Sequence, residues 1–160
     1  MTTRVLFVCM GNICRSPIAQ GVFENVLRRE GLEDEVEVDS AGTGGWHVGS
    51  PPDGRAVESA ARRGLDIGGQ RARKFSTEDC RRFDYVLTMD EENYRHVSAM
   101  CSGSAVVRPF LDFDPEGPER EVPDPYFGEA DGFERVIDLV EAASEGLVED
   151  IRKRHPNGHG

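Results

Sequence analysis

Residues 5–17 read VLFVCMGNICRSP, and this stretch determines how the first part of the chain folds. Val5 to Val8 form a continuous apolar run, and Gly11, Asn12 and Pro17 then interrupt it. Short apolar runs bounded by turn residues are typical of strands that are buried on both faces of a parallel sheet. We therefore predict a buried strand followed by a turn.

A helix is predicted directly after this turn. Ser16 is the expected N-cap and Pro17 the first helical residue, a position that suits proline because its missing N–H would be unpaired there anyway. Apolar residues then recur at helical spacing: Ile18, Val22, Phe23, Val26 and Leu27. Gly31 is expected to end the helix.

The rest of the chain alternates between strand and helix patterns. The predicted strands are 35–40, 85–89 and 105–108, and the predicted helices are 54–63, one from about 76, one from 91, and 133–154. This alternation predicts an α/β fold with a parallel sheet and helices on both faces. A proline-rich loop, 109–131, is long enough to suggest a functional role. We expect one domain over 1–154 and a disordered tail over 155–160.

Composition excludes several classes of partner. The chain has 160 residues and a formal charge of −11, so nucleic acid and anionic membrane surfaces would repel it. An anionic substrate would need a local positive site. The short apolar run at the start does not resemble an export signal, so we expect a cytoplasmic protein with reduced thiols, in which Cys80 and Cys101 are packing residues. No Cys/His pattern indicates zinc.

Residues Cys9 to Ser16 lie between the predicted strand and the predicted helix. Unpaired backbone N–H groups and the helix dipole favour an anion at such a position, and Gly11 allows close approach of the backbone. Successive N–H groups in a loop form a concave nest that fits phosphoryl oxygens. This segment therefore predicts a phosphate site.

Three side chains of the segment have chemistry that suits this site. The nest favours the reactive thiolate form of Cys9, and the planar fork of Arg15 fits two phosphate oxygens. Ser16 can donate to the thiolate and ease its departure. The alternative interpretation is a buried strand-end thiol, a surface charge and a simple helix cap. The strand before the segment and Ser-Pro after it favour the functional interpretation.

A leaving oxygen needs a proton donor, and the best candidate in the late loop is Asp124. It lies in the segment VPDPYF, 122–127, where flanking prolines restrict its backbone and two aromatic residues follow. A carboxyl group is a common general acid. The alternative is that Asp-Pro forms only a turn.

Four segments together resemble the low-molecular-weight protein tyrosine phosphatase family. They are CMGNICRSP at 9–17, DSAGT at 39–43 followed by Trp46, FDYVLTMD at 83–90 and DPYF at 124–127. The resemblance implies a three-layer αβα sandwich with a four-stranded parallel sheet, flavodoxin-like, and a phosphate loop after the first strand. It also implies a phosphoric monoester hydrolase that needs no metal or cofactor.

The resemblance also implies roles for individual residues. Cys9 attacks to give a phosphocysteine, Arg15 clamps the phosphate, and Asp124 is general acid and then base. The residues implied in phosphate or substrate binding are Met10, Gly11, Asn12, Ile13, Cys14, Ser16, Trp46, Tyr126 and Phe127. The partner would be a phosphotyrosine-containing protein, and the chain a monomer, with a weak dimer as the alternative.

Some positions leave alternatives open. Cys14 matches a family cysteine that can form a disulfide with Cys9 under oxidation, but it could equally be a structural thiol. Ser40 matches a position in the network that supports the loop, or is an ordinary strand-end hydroxyl. Gln70 stands where many bacterial members have His, so the bracing of the loop must differ. His47, beside Trp46, is a further candidate for substrate contact.

Three other functions are compatible with the same fold. Arsenate reductases need two additional cysteines close together, and Cys101 stands far from Cys80 along the chain. Protein-arginine phosphatases carry Thr where Ile13 stands. A non-catalytic phosphate-binding module would not need Cys9 or Asp124, and both are present.

Overall fold

The structure, a computed structural model, describes residues 2–125 and 131–154. Its strands are β1 (Thr3–Cys9), β2 (Val36–Gly42), β3 (Tyr85–Thr88) and β4 (Val106–Pro109). Its helices are α1 (Arg15–Arg29), α2 (Gly54–Arg62), α3 (Asp79–Arg82), α4 (Glu91–Met100) and α5 (Asp131–Arg154). A 3₁₀ turn, Phe110–Phe113, lies within the predicted loop after β4.

The four strands form one parallel sheet in the order β2-β1-β3-β4. Side chains of β1 alternate between two buried clusters: Val5, Phe7 and Cys9 face one, and Leu6 and Val8 face the other. The first cluster contains the apolar sides of α1 and α5, and the second contains residues of α3 and α4. The sheet is therefore covered on both faces, and the predicted three-layer α/β fold is confirmed.

The start of α1 differs from the prediction. The helix begins at Arg15, and Cys14, which flanks it, makes no side-chain cap hydrogen bond. Ser16 therefore lies inside the first turn and is not the N-cap. Its hydroxyl is turned toward the Cys9 sulfur, at 3.0 Å. The predicted end of the helix agrees with the structure, since Gly31 follows it in the left-handed region with φ 74°.

The expectation that Cys80 and Cys101 are separate thiols is wrong. They form a disulfide, with Cα atoms 5.3 Å apart and a sequence separation of 21 positions. Cys80 lies in α3 and Cys101 directly follows α4, and both helices pack on the same face of the sheet. Distance along the chain was a poor guide because strand β3 and helix α4 bring the chain back to α3.

Candidate active site

The phosphate loop, residues 9–16, lies at the edge of the sheet where the parallel strands end. Cys9 ends β1, and its sulfur accepts a hydrogen bond from the backbone N–H of Asn12 at 3.3 Å. Asn12 has φ 57°, a left-handed conformation that turns the loop toward α1. The loop thus curves around the Cys9 sulfur, with the N-terminus of α1 behind it.

Asn12 braces the loop through three hydrogen bonds. Its amide nitrogen donates to Ser16 Oγ at 2.8 Å and to Ser40 Oγ at 3.0 Å. Its amide oxygen accepts from the backbone N–H of Arg73 at 3.0 Å. Ser40 in turn donates to Gln20 at 2.8 Å. The buried Asn12 therefore connects the phosphate loop to α1, to β2 and to the segment that follows α2.

Arg15 is buried and held from one side. Its Nη1 donates to Asp90 Oδ2 at 2.7 Å and to the carbonyl of Val122 at 3.0 Å. Burial alone would lower the pKa of Arg15, but the nearby charges of Cys9, Asp90 and Asp124 outweigh it and raise that pKa. The guanidinium is therefore a permanent positive charge, anchored through a single nitrogen.

Asp124 reaches the same place from the late loop. Its Oδ2 lies 3.7 Å from Arg15 Nη2. The preceding segment is fixed because the N–H of Val122 donates to the carbonyl of Met89 at 2.8 Å. The side chain of Asp124 is 38% exposed, so it can reach both a bound substrate and water.

These groups meet in one cavity of about 310 Å³. Its lining residues are Cys9, Met10, Gly11, Ile13, Cys14, Arg15, Trp46, His47 and Asp124. Of the sequence candidates, Asn12 and Ser16 belong to the phosphate loop but do not line the cavity, and their buried side chains are hydrogen-bonded to each other. Tyr126 and Phe127 lie outside the described residues. Among the described residues, no group of His, Cys, Asp or Glu is arranged to hold a metal ion.

The outer side of the cavity is formed by the wall loop, residues 43–50. Backbone hydrogen bonds attach it to the phosphate loop: Thr43 N–H donates to Cys9 O, and Gly44 N–H to Met10 O, both at 2.9 Å. Trp46 lies at its tip and is 74% exposed. The tryptophan is therefore an exposed loop residue that lines the cavity.

Cys14 is a buried thiol in the cavity wall. Burial, with the negative charges of Asp53, Cys9 and Asp124, raises the pKa of Cys14 to about 12. Cys14 consequently remains protonated near neutral pH. In this state it is a poor nucleophile, so any exchange with Cys9 must begin at Cys9.

Gln70 stands where many relatives have His, but its side chain does not hydrogen-bond to Asn12. Its Nε2 donates to the carbonyl of Pro17 in the first turn of α1, at 3.1 Å. Its Oε1 is buried and has no hydrogen-bond partner among the described residues. The contact that Asn12 needs comes instead from the backbone of Arg73, three residues further along.

Sequence reasoning named Ser40 as a support of the phosphate loop but missed the groups that hold Arg15 and the backbone of Arg73 that holds Asn12. Asp90 is the clearest case: it caps α4 with a full capping box and also accepts from Arg15. A signal for it existed, because Asp90 follows a strand that pairs with β1 and therefore ends at the same sheet edge as Cys9. The backbone groups of Val122 and Arg73 have no sequence signal.

On the described residues, no helix is long and apolar enough to cross a membrane. Residues 4–157 match the model of the family described as low molecular weight phosphotyrosine protein phosphatase. The chain is 45% identical over 148 residues to the low molecular weight phosphotyrosine protein phosphatase of Schizosaccharomyces pombe, covering 90% of this chain and 94% of that one.

Solved structures agree with this match. The crystal structure of YfkJ from Bacillus subtilis superposes with a TM-score of 0.89 at 39% identity, covering 97% of this chain and 98% of the other. The protein tyrosine phosphatase of Entamoeba histolytica, with Hepes in its active site, gives a TM-score of 0.91 at 36% identity, covering 95% and 98%. The chain therefore belongs to the low molecular weight phosphotyrosine protein phosphatase family, whose members are hydrolases.

Proposed function

We propose that this protein hydrolyses phosphotyrosine in proteins through a phosphocysteine intermediate. The observation that carries the proposal is one cavity in which a buried cysteine, a buried arginine and a carboxylate converge. Cys9 is the nucleophile, Arg15 the phosphate clamp and Asp124 the general acid and base. Family membership supports the same reaction class.

In the first step, the phosphoryl group occupies the nest of backbone N–H groups in the phosphate loop. The Cys9 thiolate attacks phosphorus, so an S–P bond forms while the bond from phosphorus to the tyrosyl oxygen breaks. Asp124 gives its proton to the leaving oxygen, which departs as a neutral phenol. Arg15 uses Nη1 for Asp90 and Val122, so in this step Nε and Nη2 would bind the equatorial oxygens of phosphate.

In the second step, water attacks the phosphocysteine. Asp124, now a carboxylate, takes a proton from this water, and the S–P bond breaks to release inorganic phosphate. The thiolate of Cys9 is the leaving group. Ser16, whose Oγ lies 3.0 Å from this sulfur, donates a hydrogen bond that stabilises the departing charge.

An aromatic substrate fits the cavity better than the alternatives. Trp46 and Ile13 line it and offer flat and apolar surface to a phenyl ring. Ile13 has no hydroxyl to offer the guanidinium nitrogens of phosphoarginine. The Cys80–Cys101 pair is close enough to exchange disulfides, but neither cysteine is among the described residues that line the cavity. Arsenate reduction by a relay from Cys9 is therefore disfavoured.

The test is turnover of an aryl phosphate by wild type, Cys9→Ser and Asp124→Asn. Cys9→Ser should abolish turnover because serine is not ionised at neutral pH. Asp124→Asn should lower kcat/KM, which reports the first step alone, by about 10²- to 10⁴-fold on substrates with poor leaving groups, and less on p-nitrophenyl phosphate, whose leaving group needs no proton. Rapid quenching of Asp124→Asn should trap a phosphocysteine on Cys9.

Each alternative has its own outcome. Turnover that survives in Cys9→Ser would refute the mechanism, and an equal loss of kcat/KM on good and poor leaving groups in Asp124→Asn would refute the acid assignment. Faster release of phosphate from phosphoarginine than from phosphotyrosine peptides would identify an arginine phosphatase. Phosphate binding without turnover in wild type would identify a binding module.

A further inference from the structure

The six-membered ring of Trp46 lies against the backbone of Gly44. A Cβ atom added at Gly44 would lie within 2.6 Å of three carbons of the six-membered ring of Trp46. Real side-chain contacts do not approach so closely, so any residue other than glycine at position 44 would have to displace the ring. His47 is placed similarly, since a Cβ at Gly11 would lie 3.1 Å from its Cδ2.

The backbone at position 44 is fixed and cannot yield in place of the ring. Gly44 N–H donates to Met10 O in the phosphate loop at 2.9 Å, and the preceding Thr43 N–H donates to Cys9 O. Moving this segment would break contacts with the loop that holds the reactive sulfur. The Trp46 side chain, which is 74% exposed, is the part that can move.

We propose that Gly44 is a positioning residue for substrate recognition: it seats Trp46 in the orientation that walls the cavity. The inference rests on the proposed function, because it assigns Trp46 to the aromatic part of the substrate. Gly44 itself does not line the cavity. Its effect therefore acts through the ring and should change affinity for aromatic ligands only.

The adjacent glycine provides a matched control. A Cβ at Gly45 would meet Lys74 Cδ at 3.6 Å and Val48 Cγ2 at 3.9 Å, which are ordinary contacts. Neither Gly44 nor Gly45 has positive φ, so alanine is compatible with the backbone at both positions. Alanine also restricts the unfolded chain equally at both. The two substitutions differ only in the collision with Trp46.

Calorimetric binding of benzylphosphonate and inorganic phosphate tests the proposal without requiring turnover. Gly44→Ala should raise the Kd of benzylphosphonate by about 2- to 10-fold, the range expected for an aromatic pair. The Kd of inorganic phosphate should stay unchanged, and Gly45→Ala should alter neither. Because Trp46 is the one tryptophan in the sequence, a lower fluorescence anisotropy in Gly44→Ala should report release of the ring.

A double-mutant cycle with Trp46→Ala shows whether Gly44→Ala acts by displacing the Trp46 ring or by changing the backbone of the loop. In the Trp46→Ala background, Gly44→Ala should have no further effect on benzylphosphonate. A persistent effect there, equal weakening of phosphate binding, or unchanged anisotropy and affinity in Gly44→Ala would overturn the proposal. An absence of phosphatase activity in wild type would refute the proposed function, yet the anisotropy and the two binding constants would still decide the role of Gly44.

Discussion

The phosphate loop and the wall loop lie side by side at the same cavity, but they are held in different ways. In the phosphate loop, five of the eight side chains are buried, among them Asn12, Arg15 and Ser16, and they are joined by hydrogen bonds. In the wall loop, no residue is buried, and backbone hydrogen bonds at Thr43 and Gly44 provide the attachment. One loop is fixed by a network of polar side chains and the other by backbone hydrogen bonds.

We expect this difference to separate residues that affect turnover from residues that affect substrate affinity. A buried hydrogen-bonded network is costly to disrupt, since each unpaired partner keeps its desolvation penalty. Exposed side chains contribute little to folding and can change without affecting the core. Substitutions in the phosphate loop should therefore reduce kcat and stability together, whereas substitutions in the wall loop should change substrate affinity alone.

The strongest test of the phosphate loop is Arg15→Lys, which keeps the charge and removes the planar fork. The three donors of lysine sit on one nitrogen and cannot reach Asp90, the Val122 carbonyl and two phosphate oxygens at once, so kcat/KM for aryl phosphates should fall by about 10²- to 10³-fold. Steady-state kinetics and chemical denaturation measure this. Arg55→Lys, an exposed arginine that does not line the cavity, is the control. Near-normal kinetics in Arg15→Lys would show that positive charge alone is enough.

A substitution outside both loops should affect stability without affecting activity. Removing the disulfide by Cys80→Ser with Cys101→Ser should lower the free energy of unfolding by about 3 kcal/mol, given a loop of 21 residues. Values of kcat and KM should not change, because neither cysteine lines the cavity. Denaturation of wild type with and without a reductant should reproduce the difference. A reduced kcat in the double variant would link this face of the sheet to the site.

Asn12→Gly separates hydrogen bonding from backbone conformation in the phosphate loop. Glycine adopts the positive φ of Asn12 without strain, so only the three hydrogen bonds are lost. The free energy of unfolding should fall by about 1–3 kcal/mol, and kcat should fall with it. Asn12→Ala should be worse by about 1 kcal/mol because of its left-handed backbone. Unchanged kcat in Asn12→Gly would mean that the loop keeps its shape without the brace.

The smallest effect is expected for Trp46→Ala in the wall loop. KM for aryl phosphates should rise by about 2- to 10-fold, with kcat and the denaturation midpoint unchanged because the side chain is 74% exposed. Trp46→Phe should restore most of the affinity. Loss of kcat equal to that of Asn12→Gly would contradict the separation of the two loops.

The order of elements and the phosphate loop could be predicted because their signals are local. An apolar run, a Gly-Asn turn and a helical pattern follow one another within 25 residues, and Asn12 indeed adopts the left-handed conformation expected of such a turn. Asp124 was different. It is remote in sequence, and its local signal fits both a general acid and an ordinary turn. The family resemblance is what favoured the general acid.

What sequence reasoning missed depends on tertiary contacts. Ser16 was assigned as a cap from local preference, but its hydroxyl lies against the Cys9 thiol and the helix begins two residues earlier than predicted. Cys80 and Cys101 meet only after two elements fold between them. One of the groups that hold Arg15 is the backbone carbonyl of Val122. Every residue has such a carbonyl, so the residue type gives no signal for this contact.

The anchoring of Arg15 also has a consequence for folding. Its partners Asp90 and Val122 stand 75 and 107 residues away in sequence. The partners Ser40 and Arg73, which brace the nest at Asn12, stand nearer, 28 and 61 residues from it. Contacts across such separations form late, because closing a long loop costs more entropy than forming a local turn. During folding, the thiol nest can form while its arginine is still unanchored. During refolding, recovery of activity should therefore lag behind recovery of the helix signal. The return of activity would then report when Arg15 reaches Asp90 and Val122.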